Sequence, residues 1–239
     1  MARGDGGKPI FGADDDRKAF LFRLGQVCAS HGWRVHAWVL IGNHFHLLLE
    51  TPEPNLVRGM KYLLGTFSQG WNARRSRRGH VFQSRYKSVP VSAAVESPYY
   101  FRIVADYIHL NPARAGLVGG NSRKLIGYKW SSLPCYASGK GPDWLALNRV
   151  LDAFELAKDG RGRRAYLAWL EARAETMEPI EPPWQAIKEW IPDDEPDLDW
   201  FNRPRNPSNP DPEAFDHSPT WQATEIHLDD GRTLVLEYT

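Results

Sequence analysis

A His-Phe-His triplet at residues 44–46 is the sharpest candidate for chemistry in the sequence. Successive side chains of a β-strand alternate between its faces, so His44 and His46 are predicted on one face and Phe45 on the other. Two neutral imidazoles on one strand face can chelate a divalent cation. The alternative is coincidence, since a chain with eight histidines has roughly a one in four chance of containing such a pair. The spacing alone leaves both interpretations open.

A second candidate lies in the segment DYIHLNP at residues 106–112. Residues four apart lie above one another on a helix, so Tyr107 and Asn111 are predicted to share a face. Tyr107 could then act as a nucleophile, and the amide oxygen of Asn111 could be a third metal ligand. The plainer alternative is a half-buried tyrosine beside an Asn-Pro pair that ends the helix.

A strongly basic stretch separates these two candidates. Residues 51–130 contain 13 Lys and Arg against 3 Asp and Glu, a net charge of +10 in a chain whose overall charge is only +1. Cations neutralise phosphates, and interleaved aromatic rings can stack on unpaired bases, so the stretch predicts nucleic-acid binding rather than a merely solvated surface. The predicted DNA contacts are Arg58, Lys61, Arg74, Arg75, Arg77, Arg78, Arg85, Lys87 and Arg114.

Hydrophobic periodicity and turn signals place these residues on helices and strands. A helix is predicted from Asp14 to about His31, and the turn Gly42-Asn43 joins two strands into an antiparallel hairpin. Pro112 is expected to end the third helix. The remaining predictions are strands at Arg34–Leu40 and His44–Glu50, an extended segment at 81–91, and helices at 55–72, 98–111, 150–156 and 164–173.

The C-terminal part has a different composition. Residues 171–239 carry 17 acidic against 5 basic residues, a net charge of −12, and prolines are dense from about residue 176. This predicts a solvated acidic tail, ending in a small hairpin of residues 224–228 and 233–238. No apolar run is long enough to span a membrane, and we expect neither a signal peptide nor a disulfide from Cys28 and Cys135. A cytoplasmic protein is the simplest expectation.

Three segments together resemble a known family. WVLIGNHFHLLLETP (residues 38–52), GHVFQSRYK (79–87) and DYIHLNPARAGLV (106–118) are similar, in order and spacing, to signatures of REP-associated tyrosine transposases, which belong to the HUH-motif single-strand insertion-sequence transposases. The resemblance covers about residues 2–140 and, more weakly, 150–173. It departs in three places. The family's first strand is represented only by residues 1–4, Gly42 stands where the family often has proline, and the acidic tail after about residue 175 lies outside the resemblance.

The resemblance implies a fold and a reaction. The implied fold is α+β, a ferredoxin-like antiparallel sheet with helices packed on one face, shortened in its first strand. This catalytic domain would span residues 1–140, followed by a helical extension at 141–175 and the acidic tail at 176–239. His44, His46 and Asn111 would hold Mg²⁺ or Mn²⁺. Tyr107 would cleave and rejoin single-stranded hairpin DNA through a 5′-phosphotyrosyl intermediate.

Three other functions fit parts of the sequence. A descendant of a transposase could retain hairpin binding and lose cleavage. An RNA-binding or RNA-cleaving protein would use the same basic and aromatic residues. A metallohydrolase acting on small molecules would use His44 and His46 but would leave the +10 segment unexplained. We expect a hairpin DNA partner, no membrane partner and a nucleoid-associated location, while a monomer and a homodimer both remain open.

Overall fold

The fold combines an antiparallel sheet with helices. A computed structural model describes residues 1–91, 98–118, 124–176 and 233–237, all statements below being confined to these. The strands are β1 (Ala2–Arg3), β2 (Arg34–Leu40), β3 (His44–Thr51), β4 (Ser88–Pro90) and β5 (Thr233–Glu237). The helices are α1 (Asp14–His31), α2 (Leu56–Arg74), α3 (Pro98–Arg114), α4 (Leu133–Ser138), α5 (Asn148–Ala153) and α6 (Gly160–Thr176).

The hairpin of β2 and β3 is the centre of the sheet and confirms the sequence prediction. The two strands pair antiparallel, with Trp38 opposite Leu47 and Leu40 opposite Phe45. In both strands, every residue after the first is buried. A hairpin whose two faces are both buried must be covered on both sides.

Helices therefore lie on both faces of the sheet, which corrects the expectation of helices on one face. On one side α1 and α2 pack against Phe45, Leu47 and Leu49. On the other side α3 packs against Val39 and Leu48, and α4, α5 and α6 extend the same core. The reason is the composition of β2 and β3, which carry apolar residues at odd and even positions alike, so that each face needs its own cover.

The end of α3 also differs from the prediction, because Pro112 lies inside the helix rather than ending it. A proline lacks the backbone N–H of a helical residue and normally breaks a helix interior. Here only two residues follow Pro112 in α3, and the Ala115 amide donates to the Asn111 carbonyl oxygen at 2.9 Å. The helix thus continues for two residues beyond the proline. The pair Ser97-Pro98 predicts an N-cap at Ser97, which lies outside the described residues.

Other predicted elements are shorter, longer or paired differently. Within 81–91 only Ser88–Pro90 forms a strand, and α4 was not predicted from the sequence. β5 is paired with β3 and β4. Its predicted hairpin partner, residues 224–228, lies outside the described part of the chain. No helix among the described residues is long and apolar enough to cross a membrane.

Candidate metal and nucleophile site

The two histidines of β3 face α3, as alternation along the strand requires. Their ring centroids are 5.2 Å apart with the ring planes perpendicular. Phe45, between them, is fully buried in the opposite core against Phe20 of α1. His46 is buried and His44 is half-buried, so the pair lies at the rim of the core with His44 on the solvent side.

Helix α3 brings the second candidate pair to the same place. The Tyr107 ring lies 5.5 Å from the His46 ring, and the Asn111 Oδ1 lies 3.4 Å from the His44 Nε2. These contacts join positions more than 60 residues apart in the sequence. The structure therefore assembles His44, His46, Tyr107 and Asn111 into one cluster between the start of β3 and the end of α3.

The orientation of His44 is set by Asn43. The Asn43 Nδ2 donates to the Gly7 carbonyl oxygen at 3.2 Å, which leaves the Asn43 Oδ1 facing the His44 Nδ1 at 2.7 Å. An amide oxygen can only accept, so the His44 Nδ1 carries the proton and donates it. In a neutral imidazole the other nitrogen, Nε2, then presents a lone pair.

The contact between His44 and Asn111 is consequently a meeting of two acceptors. The His44 Nε2 lone pair and the Asn111 Oδ1 are 3.4 Å apart, too long and of the wrong polarity for a good hydrogen bond. Two lone pairs directed toward each other are stabilised by a cation between them. This geometry makes the cluster a candidate metal site.

Both imidazoles are held neutral. Burial lowers the pKa of His44 from its ordinary value to about 4, with the positive charges of Arg3 and the amino terminus acting in the same direction and the Asn111 contact against it. Burial and the neighbouring His44 hold the pKa of His46 well below its ordinary value. Metal binding requires deprotonated imidazole, so neither histidine must lose a proton at neutral pH before it coordinates.

The donor set fits a hard or intermediate divalent cation. Imidazole nitrogens and an amide oxygen are ligands that suit Mn²⁺ and, with water completing the shell, Mg²⁺. Within the described residues there is no group of three or more His, Cys, Asp and Glu side chains that could hold a metal. The Asn111 Oδ1, 3.4 Å from the His44 Nε2, would be the third protein ligand of a cation held here.

Tyr107 lies beside the positive charge of Arg114. Burial raises the pKa of Tyr107, while the guanidinium of Arg114 and hydrogen bonds from Arg114 and Asn111 act in the opposite direction. The Arg114 Cζ lies 4.4 Å from the centre of the Tyr107 ring. Tyr107, Asn111 and Arg114 are spaced i, i+4 and i+7 along α3, so one face of the helix carries all three.

Two of the predicted DNA-binding arginines make an internal ion pair. The Arg75 guanidinium holds the buried carboxylate of Asp16 through two nitrogens, at 2.7 and 3.0 Å, and Arg74 adds a third bond at 3.1 Å. Burial alone would raise the pKa of Asp16, but these bonds and one from the Ala13 amide hold it below its ordinary value. Arg74 and Arg75 thus fix residues 75–79, the basic loop, to the start of α1.

The other predicted DNA contacts divide between two sides of the sheet. Arg58 and Lys61 are exposed on α2, which covers the sheet face opposite the histidines. Arg77 is exposed and stacks over the Trp71 ring, with its Cζ 5.5 Å from the ring centre. Arg78, Arg85 and Lys87 are likewise exposed. Arg114, on α3, contacts the Tyr107 ring on the histidine side.

The basic loop nevertheless lies at the same end of the sheet as His44. The Trp71 Nε1 donates to the Ile10 carbonyl oxygen at 2.8 Å, and the Ile10 amide donates to the carbonyl oxygen of Gly42 at 2.9 Å. Gly42 is two residues before His44.

Sequence reasoning missed the role of Asn43 and treated Arg114 only as a DNA contact. Asn43 was interpreted as a turn residue, and its hydrogen bond to His44 depends on the distant Gly7 carbonyl, which no local pattern indicates. The i+7 spacing of Arg114 from Tyr107 was a usable signal, because residues seven apart on a helix share a face.

Comparisons of the chain with protein-family models, with curated proteins and with solved structures return no match. The function is therefore argued from the side chains of the site.

Proposed function

We propose that the chain is a metal-dependent nuclease and strand transferase of the tyrosine transposase kind, acting on single-stranded hairpin DNA. The observation that carries the proposal is the meeting of His44, His46, Asn111 and Tyr107 in one cluster. The same proposal includes the finer description of the fold, a ferredoxin-like sheet of the HUH type. The cluster brings a candidate nucleophile, two imidazoles and an amide oxygen together, which are the parts that metal-assisted phosphoryl transfer needs.

Tyr107 supplies the nucleophile. Its Oη attacks the scissile phosphorus in line, an O–P bond to the tyrosine forms, and the bond from phosphorus to the 3′ oxygen breaks. The tyrosine proton is lost to solvent and the departing 3′ oxygen gains one, so charge and atoms balance. The DNA stays attached through its 5′ phosphate, and attack by another 3′-hydroxyl on that phosphate rejoins the strands without an external energy source.

Arg114 and Asn111 act on the hydroxyl and the phosphate. The Arg114 guanidinium, 4.4 Å from the Tyr107 ring centre, holds the ring and can donate to a non-bridging phosphate oxygen. His44, His46 and Asn111 would hold Mg²⁺ or Mn²⁺, which when bound supplies a Lewis acid for the charge on the phosphate. Asn43 keeps the His44 Nε2 lone pair directed at the cation site.

The basic surface supplies affinity for the DNA backbone. Arg77 and Arg78 lie on the loop at the His44 end of the sheet, and Arg58 and Lys61 extend the charge along α2. Such contacts bind phosphates without regard to sequence, so any base readout would involve unpaired positions. Hairpin DNA as the partner is part of this proposal, and it leaves the choice between monomer and homodimer open.

A second function, hairpin binding without cleavage, is favoured by one observation. The Tyr107 side chain is buried and its pKa is raised, so its hydroxyl is harder to deprotonate than that of an exposed tyrosine. A protein that binds the hairpin but does not open Tyr107 to the phosphate would show the same cluster.

A denaturing gel distinguishes the two functions. The purified chain is incubated with Mn²⁺ and a single-stranded hairpin labelled at its 3′ end, taken from DNA flanking the gene. The nuclease should yield a slowly migrating covalent species that Tyr107→Phe abolishes, a loss of at least about a thousandfold because the nucleophilic oxygen is gone.

Tyr62→Phe is the matched control, because Tyr62 is exposed on α2 and distant from the histidines. It should form the covalent species as the unaltered chain does. Binding of the hairpin on a native gel with no covalent species under any metal would instead support the binding protein.

A further inference from the structure

One edge of β3 is shared by two segments that are far apart in the sequence. β1 pairs with its start, where Arg3 lies opposite His44 and Ala2 opposite Phe45. β5 pairs with its other half, from Leu236 opposite Leu48 to Thr233 opposite Thr51. Both run antiparallel to β3, so the end of β5 is directed toward the start of β1. Together they occupy the two halves of a single strand position.

A second segment flanks both halves on the other side. β4 pairs with β5, placing Ser88 opposite Glu237 and Val89 opposite Leu236. Beside β1, the Gln83 amide donates to the Arg3 carbonyl oxygen at 2.9 Å and the Lys87 amide to the Met1 carbonyl oxygen at 2.8 Å. Between β3 and residues 82–90 there is thus a slot one strand wide.

The half of the slot that β5 occupies would be unfavourable to leave empty. Leu48, Leu49 and Thr51 of β3 are fully buried. Buried backbone N–H and C=O groups require hydrogen-bond partners, and leaving them unpaired is destabilising. Along this edge β1 pairs with His44 and Phe45. The half of β3 that follows the histidines, Leu48–Thr51, pairs with β5.

We infer that the slot between β3 and β4 is a strand-binding site whose ligand is the chain's own C-terminal segment, Thr233–Glu237, and that this segment holds the histidine-bearing strand in place. The segment belongs to the same chain, because residues 177–232 between α6 and β5 are long enough to reach across a domain of this size. Its pairing is independent of the proposed function, whereas its effect on the metal site rests on that function.

Hydrogen exchange in the full-length chain tests the pairing. Val235 lies opposite both Leu49 and Pro90, and Val235→Pro removes a backbone donor from the middle of β5. Peptides covering Leu48–Thr51 should exchange at least about tenfold faster in this variant, while peptides from α6 keep their protection. Val235→Thr keeps the strand and should match the unaltered chain. Equal exchange of Leu48–Thr51 in all three chains would overturn the inference.

A cross-link tests the same pairing without risk of unfolding. Ser88→Cys with Glu237→Cys places two thiols at directly paired positions, and Ser88→Cys with Thr233→Cys places them four residues out of register. The first pair should form an intramolecular disulfide under mild oxidation and the second should not. Equal cross-linking of both pairs would refute the register, and a disulfide only between two chains would show that the strand comes from a second copy.

The adduct assay then separates this inference from the proposed function. If Val235→Pro loses both the protection of Leu48–Thr51 and the covalent species, β5 supports the catalytic strand. If the unaltered chain forms no covalent species but shows the exchange and cross-linking pattern, the proposed function fails and the strand-binding site stands.

Discussion

Two clusters of side chains, each built around a histidine, lie on opposite sides of helix α3. They differ in the groups that the two imidazole nitrogens contact. The His109 Nδ1 lies 2.7 Å from the Tyr166 hydroxyl and the Nε2 lies 2.6 Å from the Ser132 hydroxyl, all within a fully buried core. The His44 Nδ1 is bonded to Asn43, but its Nε2 faces another acceptor, the Asn111 Oδ1, at 3.4 Å.

The difference shows how a structural histidine can be told from a candidate ligand. Both clusters are neutral, since burial lowers the pKa of His109 to about 3 and that of His44 to about 4. The direction of the pKa shift therefore does not distinguish them. What distinguishes them is polarity: hydroxyls, which can donate or accept, saturate His109, whereas an amide oxygen, which only accepts, faces His44.

The largest expected effect is a loss of stability when the His109 cluster is disrupted. His109→Ala leaves the Tyr166 and Ser132 hydroxyls without this partner and creates a cavity, so the free energy of unfolding should fall by about 3–5 kcal/mol. His44→Ala, at the half-buried site, should cost about 1 kcal/mol or less. Urea denaturation measures both. Equal losses of stability in the two variants would contradict the assignment of one cluster to structure and the other to function.

The next effect concerns the orientation of His44. Asn43→Ala removes the acceptor that keeps the proton on the His44 Nδ1, so the affinity for Mn²⁺ should fall about 10- to 100-fold. Asn43→Asp retains an acceptor and should stay near the unaltered affinity. Electron paramagnetic resonance of free Mn²⁺ gives both values. Unchanged affinity in Asn43→Ala would remove Asn43 from the site.

Another prediction concerns Asp106, which precedes Tyr107 in α3 but contacts Trp169 and Arg173 of α6. Burial raises the pKa of its carboxyl to about 6, against the opposing effects of the Trp169 hydrogen bond and the Arg173 charge. A carboxyl with a raised folded pKa stabilises the protein most when protonated. That stability is full below about pH 4 and is lost as the pH rises to about 6, by about 1.4 kcal/mol per pH unit.

Asp106→Asn should therefore be about 1–2 kcal/mol more stable than the unaltered chain at pH 7, after allowance for the lost ion pair with Arg173, and should lose this advantage near pH 4. Thermal unfolding across this pH range makes the measurement. A variant that is less stable at pH 7 would mean that the Arg173 ion pair outweighs the burial of charge.

The smallest expected effect distinguishes the roles of Arg75 and Arg77 in the basic loop. Arg77→Gln should weaken hairpin binding by about threefold to tenfold and lower the salt dependence by about one phosphate contact, because Arg77 is exposed. Arg75→Gln should instead lower stability, since the buried Asp16 loses its bidentate partner. Titrations at several salt concentrations report the first effect and urea denaturation the second. Loss of affinity confined to Arg75→Gln would reverse the assignment.

Much of the site could be predicted because it depends on local periodicity. Alternation along residues 44–46 places both histidines on one face, and helical spacing places Tyr107 and Asn111 on one face. The structure then shows these two faces in contact. The bounds of α1 and β2 are confirmed for the same reason, since each is a continuous pattern flanked by a clear stop signal.

The remaining features depend on contacts between distant residues. Nothing local to Asn43 indicates Gly7, and nothing local to Thr233–Glu237 indicates β3, which it meets across some 180 residues of sequence. Helices on both faces follow from burial of both strand faces, which apolar runs leave ambiguous. Arg74 and Arg75 were predicted as DNA contacts from charge alone, and charge does not indicate that Asp16 is their neighbour.

The most direct test of the central claim is to find the modified residue itself. The covalent species formed with Mn²⁺ and hairpin DNA is digested with nuclease and protease, and the peptides are sequenced by mass spectrometry. We expect a nucleotide joined through its 5′ phosphate to Tyr107, present only when metal is added. A nucleotide on another residue, or a peptide containing Tyr107 that stays unmodified while the hairpin is cut, would contradict the account.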